Sequence, residues 1–520
     1  MLNKVSSFVK TTKFVYFLLT LFVLLDRILI YQNFNCKFVG NDDLIFWQGA
    51  NDYMHGHFYV PYYYGQNYNV MLEALFAVPF LVINIPYQLS LFLATSITTL
   101  FPFFIFSFVL WKRGYQIAAL FFISIPLLLP VEYGLITSMT RGFVNGLFFS
   151  GFYVFAILSP HKKSSWLIAF FATAIGYFVN PSIVVVTVPV LAYLFFINFK
   201  QPHFYLYGIV IILPVFFLEA NIKEWYSLHP ETNLCPMLEL KYDTTLLLKS
   251  FDDLDTHFSY LSPVIWSAGW IILPLGLILG ILLLKKEAKK GMAILLGILF
   301  IAFSLGVNKV HQYINTILYS AVRMYLGIPI FTGIIFLWSR SLFSHITDKR
   351  LARILLCLVI SCFFIKSSLY SLVVRSHTSK QIDFKSVAIR KLDDVKCECE
   401  TVKKIATTNK VDLVVVISTW DTLSSLAMRQ FVAHSCPLLD KNFPPTILHV
   451  YEKRFWLYEK EKKSVHKNIL FYGGPNDIGY LKTIENCNIL KDTPSQTIYV
   501  ISNNTLRLDS LCKKLNVRLF

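Results

Sequence analysis

The chain has 520 residues, of which 55% are hydrophobic, 16% aromatic and only 15% charged. Soluble domains carry about 25% charged residues, so the composition excludes an ordinary water-soluble domain. The formal net charge is +17, but the lysines and arginines are spread over short segments between apolar runs, which argues against a nucleic-acid-binding face and for membrane topology.

The first apolar run, residues 14–30, follows Lys4, Lys10 and Lys13. Tyr31, Gln32, Asn33 and Phe34 come next, with no small-residue cleavage site, so the run reads as a retained first span. Asp26 and Arg27 lie near its far end, where they can pair with each other or reach the interface. The segment after it, VGNDDLIFWQGANDYMHGHFYVPYYYGQNYNVMLEALF, opens on Asp42 and Asp43 and is dense in Tyr, Trp, His and Asn. Carboxylates so close to a bilayer face are costly unless solvated, paired or used.

About eleven runs are long and apolar enough to cross a bilayer: residues 14–30, 88–110, 115–130, 142–159, 165–179, 182–198, 204–219, 263–284, 291–306, 323–338 and 351–372. Their connections sort into two alternating sets. Basic ones carry Lys112 and Arg113, His161 to Lys163, Lys200, Lys285 to Lys290, and Arg340 to Arg353; the others, 32–87, 131–141, around Asn180, 220–262 and 307–322, are poor in Lys and Arg or hold acids. The positive-inside rule puts the N-terminus in the cytoplasm and the acidic loops outside, together with everything after about residue 373. Residues 70–86 are apolar enough to span, but a crossing there would invert every later basic loop. A surface or re-entrant helix interrupted near Asn84 and Pro86 is expected instead. Asn180-Pro181 reads as a helix start.

The tail from 374 to 520 is polar, with β-rich runs at 411–418, 446–450, 468–474 and 496–502 and helix-like stretches at 422–433 and 504–515. Alternating strand and helix predict a small α/β domain. The fold class expected is thus an α-helical polytopic membrane protein, residues 1–373, with a soluble α/β domain on the extracytoplasmic side. The two glycines of NILFYGGPND follow a strand without forming GxGxxG, and a strand-ending turn is expected there.

The outer connections gather ionisable groups: Asp42, Asp43, Asp52, His55 and His57 in the first, Glu132 and Arg141 in the second, Asp243 and Asp252, Asp253 and Asp255 in the long loop, and Lys309 and His311 with Arg323 farther on. Apart from Asp26 and Arg27 the apolar runs read as nearly free of charge, which points to chemistry at the outer face. A reaction on a lipid-linked phosphate needs a carboxylate to take the acceptor's proton. It also needs Arg or Lys to hold the leaving phosphate, and an apolar groove for the tail. A metal site at Asp52, His55 and His57 is allowed by spacing, but interfacial polar residues are commoner. The acids of 252–255 read as a solvated charge run. The cysteines number nine, with no CxxC pair. Cys36, Cys235 and five in the tail fall outside, where an oxidising compartment permits disulfides.

The first loop resembles that of the GT-C superfamily of membrane glycosyltransferases, nearest the branch of protein O-mannosyltransferases and the lipid A aminoarabinose transferase. The resemblance rests on the acidic pair Asp42-Asp43 after the first span, then Gly56-His57-Phe58-Tyr59-Val60-Pro61, then the turn Gly65-Gln66-Asn67-Tyr68. The Lys/His-Pro-Pro-Leu that usually follows is absent; Met71, Leu72 and Glu73 stand near it. The resemblance implies a GT-C-like membrane domain and transfer of a sugar from a polyprenyl-phosphate donor to a lipid, glycan or protein acceptor on the outer face. It carries the catalytic carboxylate to Asp42 or Asp43 and adds Tyr68 to the substrate set. Arg141, Arg323, Lys309 and His311 join as phosphate-binding candidates by sidedness alone. No cofactor is called for, although branches of the family differ in needing a divalent cation. Membrane lipids are expected partners and nucleic acid is not. The Lys-, Asn-, Ile- and Phe-rich composition suggests an AT-rich genome, and a bacterial inner membrane is the location expected, with the tail periplasmic by the charge of the loops. The alternatives are a transporter or flippase of lipid-linked glycans and a structural or sensory protein whose work lies in the tail.

Overall fold

The computed structural model describes residues 2–234, 237, 239–265, 268–311, 317, 321–343, 346–383, 389–417, 423–440, 443, 446–449, 454–473, 487–493 and 496–515. The chain divides into two compact units. One comprises Met1–Phe34, Phe92–Asn221 and Leu238–Arg375; the other comprises Asn35–Leu91, Ile222–Met237 and Ser376–Phe520.

The first unit is helical. Among the described residues, five helices are long and apolar enough to cross a membrane: Thr12–Asn35, Tyr87–Lys112, Pro181–Asn198, Pro202–Leu228 and Asp348–Ser379. Shorter apolar helices include Gln116–Leu128, Lys163–Val179, Gly269–Leu284 and Ile328–Phe343. The eleven expected runs are therefore present as apolar sequence, but fewer than half are helices of spanning length. The run 142–159 is broken into Asn145–Ser150 and Tyr153–Leu158. A core of Val15, Leu19, Val23, Leu120, Ile123, Leu127, Leu355 and Val359 joins the first helix, the helix Gln116–Leu128 and the last membrane helix. The helix Pro202–Leu228 has the opposite character: Ile209, Val210, Leu213, Phe216 and Phe217 are all exposed, as suits a lipid-facing surface.

One expectation about this unit is corrected. Asp26 does not make its hydrogen bonds to its neighbour Arg27. Its carboxylate accepts from Lys366 Nζ at 2.9 Å and from Tyr370 OH at 2.5 Å, both on the last membrane helix. Lys366 also donates to the carbonyl of Pro126 at 3.2 Å, and Arg27 donates to Thr137 Oγ1 at 3.3 Å. All four side chains are buried. The apolar runs thus carry a charged cluster that hydropathy alone conceals, because Lys366 is a lone charge late in an apolar run and its partner is 340 positions away.

The second unit joins the first outer loop to the tail. A two-stranded antiparallel ribbon pairs β1 (Phe38–Gly40) with β2 (Ile389–Lys391), Gly40 opposite Ile389. The remaining strands are β3 (Leu413–Val416), β4 (Ile447–His449), β5 (Ile469–Gly473), β6 (Cys487–Thr493) and β7 (Gln496–Ile501). They form one sheet in the order β4-β3-β5-β7-β6, parallel across β4, β3 and β5 and antiparallel at β7 and β6. The Leu-Val-Val-Val strand β3 is wholly buried, as expected for a central parallel strand covered on both faces. Helices Leu392–Thr408, Leu423–Leu439, Phe455–Glu461 and Leu508–Lys514 accompany the sheet. Leu508, Leu511 and Leu515 pack on Leu413, Phe471 and Tyr499. Strand β5 ends at Gly473; residues 474–477 of the NILFYGGPND segment lie outside the described residues.

The apolar stretch at 70–86 forms a helix only over Leu72–Val82. Eleven residues reach about 16 Å, roughly half the thickness of a hydrocarbon core. Its stop is a left-handed cap at Asn84 (φ 62°), where the Asn84 N–H reaches Leu81 O at 2.8 Å and the Ile85 N–H reaches Phe80 O at 3.0 Å.

Candidate active site

In the second unit, the acidic pair opens a 14-residue helix, Asn41–Met54, with Gly40 as its N-cap. The helix starts before both carboxylates and not after them, so Asp42 and Asp43 lie in its first turn, at the positive end of its dipole. The two are not equivalent. The Gly40 N–H donates to Asp43 Oδ2 at 2.8 Å, so Asp43 satisfies one of the orphan donors at the helix start. Asp42 Oδ1 instead accepts from the Tyr63 hydroxyl at 3.1 Å. Tyr63 is buried and reaches it because the chain reverses at Gly65 (φ 81°), with the Tyr63 N–H on Asn69 O at 2.9 Å. Tyr68 lies half-buried in that same turn. Sequence reasoning chose Tyr68 and passed over Tyr63; the run Tyr62-Tyr63-Tyr64 was the available signal, but nothing in it says which ring turns toward the acids.

The same helix buries Leu44, Ile45, Phe46, Trp47 and Ala50. Farther along, Asp52 accepts from Tyr64 OH at 2.8 Å, and burial raises its pKa above the usual carboxylate range although that hydrogen bond opposes the shift. His55 Nδ1 lies 2.7 Å from Asn51 O, while the His57 ring stacks on Tyr59 at 5.5 Å. The backbone N–H groups of His55 and His57 both reach Asp52 O, at 3.0 and 2.9 Å, but the three side chains make the different contacts just described. No three His, Cys, Asp or Glu side chains among the described residues are grouped as metal ligands.

In the first unit, three of the four expected cations come together. The guanidinium of Arg141 lies 5.8 Å from the centre of the Phe143 ring, and that of Arg323 lies 5.6 Å from the same ring. Lys309 stands close enough to Arg323 for that charge, after burial itself, to push its ammonium below the usual lysine range. His311 belongs to a different neighbourhood. Its Nε2 is 2.7 Å from Leu305 O and 3.4 Å from Ser250 Oγ, and its ring stands edge-on to His257 at 5.3 Å. Burial, followed by the charge of His311, holds His257 down to about 4.

The segment that carries Arg141 is fixed from both sides. Thr99 Oγ1 donates to Thr137 O at 2.9 Å, and the hydroxyls of Thr95 and Thr140 meet at 3.0 Å. Asn180 Nδ2 donates to Gly142 O at 2.8 Å, and Ser182 Oγ donates to Phe143 O at 3.3 Å. Gly142 holds φ 74°, a conformation that suits glycine. Asn180 is also the N-cap of the turn beginning at Pro181, its Oδ1 accepting from the Ser182 N–H at 2.9 Å. The sequence indicated that cap, but not that its amide also braces the Arg141 turn.

Asp243 and Asp253 are helix N-caps, accepting from the Thr245 and Thr256 N–H groups, and Asp255 accepts from the Trp270 N–H at 3.1 Å. Cys399 and Cys436 form a disulfide between the helices Leu392–Thr408 and Leu423–Leu439.

No protein-family model matches this sequence, and no curated protein matches it. Two solved structures are similar in fold. The apo structure of ArnT from Cupriavidus metallidurans matches with a TM-score of 0.54 at 10% identity, over 93% of this chain and 97% of that one. ArnT from the same organism bound to undecaprenyl phosphate matches with a TM-score of 0.53 at 11% identity, over 92% and 97%. The chain therefore has the fold of these ArnT structures over nearly its full length.

Proposed function

We propose that this protein is an integral-membrane glycosyltransferase that takes a sugar from a polyprenyl-phosphate donor and gives it to a lipid, glycan or protein acceptor on the extracytoplasmic face. The observation that carries the reading is the cation cluster of Arg141, Arg323 and Lys309 in a chain with the ArnT-like fold. One of the similar structures is bound to undecaprenyl phosphate, a ligand of the class that such a cluster would hold.

The chemistry asked of these residues is limited. Asp42 takes the proton of the acceptor hydroxyl or amine as that atom attacks the anomeric carbon. The bond from that carbon to the phosphate oxygen breaks, and the electron pair leaves with the phosphate. In the first unit, Arg141, Arg323 and Lys309 have the chemistry to hold a phosphate as its charge develops. A phosphate so held is a competent leaving group without a general acid, and attack from the opposite face inverts the anomeric configuration. We assign the base role to Asp42 and the helix-start role to Asp43, since Asp43 accepts from the Gly40 N–H of the N-cap whereas Asp42 accepts from the Tyr63 hydroxyl.

A transporter would need ionisable groups along a path through the membrane. Asp26, Lys366 and Tyr370 do form a cluster among the spans, but they bond to one another and are buried, so they favour a packing role. We place the protein in a bacterial inner membrane, with its N-terminus cytoplasmic and its tail periplasmic, from the charge asymmetry of the loops.

The test is binding of undecaprenyl phosphate to the purified protein, beside Arg141→Ala and Arg323→Ala. Saturable binding weakened about tenfold or more by either change supports the reading, one such loss being about 1.4 kcal/mol. Absence of binding above detergent background refutes it.

A further inference from the structure

The tail makes three contacts with the helix that bears the acidic pair and the residues that flank it, all within the second unit. At its start, Gly40 is both the helix N-cap and the residue paired with Ile389 of β2, and the Leu392 N–H reaches Lys37 O at 2.8 Å. At its middle, Gln48 Nε2 donates to the carbonyl of His434 at 2.9 Å, a buried bond across 386 positions. Beyond its end, Trp456 stacks on Tyr59 at 4.2 Å with an interplanar angle of 11°. The same indole meets Tyr64 edge-on at 4.9 Å, and Tyr64 donates to Asp52 on the helix itself. The first two contacts are cross-braced, because the Cys399–Cys436 disulfide ties the helix that follows β2 to the helix that carries His434.

From this arrangement we infer that the tail is a positioning scaffold for Asp42, with Gln48, Trp456 and the Cys399–Cys436 bridge as positioning residues for the transfer reaction. The inference rests on the proposed function in so far as Asp42 is the base. A 14-residue helix is about 21 Å long, and it is held at its start, its middle and just past its end by residues distant in sequence. Left alone, so short a helix is marginal in water. A base must sit within hydrogen-bond reach of the proton that it takes, and a displacement of about 1 Å at a reacting group can cost about 100-fold in rate. The tail adds to the loop's own packing, in which Gly49 lies against Met71 and Ala74 and Phe46 meets Tyr63 at 5.4 Å. None of these three contacts involves Arg141, Arg323 or Lys309, which belong to the other unit.

The experiment uses the full-length protein and two readouts. The first is amide hydrogen exchange of Leu44 to Ala50; the second is the rate of sugar release from a polyprenyl-phosphate-linked sugar, with the affinity for undecaprenyl phosphate measured alongside. Gln48→Leu, Trp456→Ala and the protein with its disulfide reduced should each exchange these amides about tenfold faster and lose about tenfold or more in kcat. Affinity for undecaprenyl phosphate should stay within about twofold, and Trp456→Phe, which keeps a stacking face, should restore most of the rate. Unchanged exchange in the folded Trp456→Ala and reduced proteins overturns the inference, as does a kcat within about twofold of the parent protein. If Asp42→Asn retains full transfer, the base assignment fails, and hydrogen exchange still decides whether the tail holds the helix.

Discussion

Arg141 and Arg323, 182 positions apart in the sequence, place their guanidinium groups 5.8 and 5.6 Å from the centre of one ring, that of Phe143. The ring's negative face offsets part of the cost of bringing two like charges together and holds both forks in one neighbourhood. Phe143→Leu keeps the apolar volume and removes that face. It should weaken undecaprenyl phosphate binding by about 5- to 30-fold, the equivalent of about 1–2 kcal/mol for the two cation–π contacts. Titration of the purified variant checks this; affinity equal to the parent's would mean that the ring only fills space.

Lys309 gives the site a pH dependence whose sign can be worked out. Burial and the charge of Arg323 lower its pKa in the free protein, and a bound phosphate would raise it again. Binding therefore takes up a proton wherever free Lys309 has lost its own. Affinity should fall as the pH rises through that lowered value, and should be flat below it once the phosphate itself is fully ionised, above about pH 8. Lys309→Gln should bind more weakly in the plateau and lose the alkaline decline. A decline that persists in Lys309→Gln would assign it to another group.

The two acids should separate by experiment. Asp42→Asn removes a base and keeps the shape, so transfer should fall by about 10²–10⁴-fold with the melting temperature unchanged. Asp43→Asn keeps an acceptor oxygen for the Gly40 N–H and should retain most of the rate, whereas Asp43→Ala should lose about 1 kcal/mol of stability. Transfer rates and thermal melts of the three variants decide it. A large rate loss in Asp43→Asn with an active Asp42→Asn would exchange the roles.

Much of this was legible in the sequence where the signal is local. The acidic pair, the turn at Gly65, the Asn180 cap and four of the five strands of the larger sheet follow from residue type and short spacing. Strand β6, Cys487–Thr493, was not foreseen, because Cys-Asn-Ile-Leu-Lys-Asp-Thr shows neither strict alternation nor a β-branched run. The grouping of Arg141, Arg323 and Lys309 was expected from sidedness, but the ring that gathers two of them was not, since Phe143 is one of 47 phenylalanines. His311 shared their side of the membrane, yet it bonds to Leu305 O and stands beside His257 instead. The bonds from Gln48 to His434 and from Lys366 to Asp26 cross more than 300 positions, and no local pattern reports them.

The Asp26–Lys366 pair is the sharpest test of how the first unit is held. Two charges removed from water recover little net energy from each other, yet one left without its partner is expensive. Lys366→Met strands the Asp26 carboxylate with only Tyr370 OH and should destabilise the protein by about 3–5 kcal/mol. Asp26→Leu strands the Lys366 ammonium against the Pro126 carbonyl and should cost a similar amount, about 3–5 kcal/mol. The double change replaces the pair with apolar side chains near Val23 and Val359, but it also takes the Asp26 charge from buried Arg27 and the acceptor from the Tyr370 hydroxyl. Its stability should exceed the sum of the two single losses by about 1–3 kcal/mol, without full recovery because Arg27 and Tyr370 lose Asp26. Denaturation of the four proteins in one detergent measures the coupling directly. If the double variant is as unstable as the sum of the singles, the pair contributes directional bonds that apolar packing does not replace, and the first and last helices are joined by chemistry and not by shape.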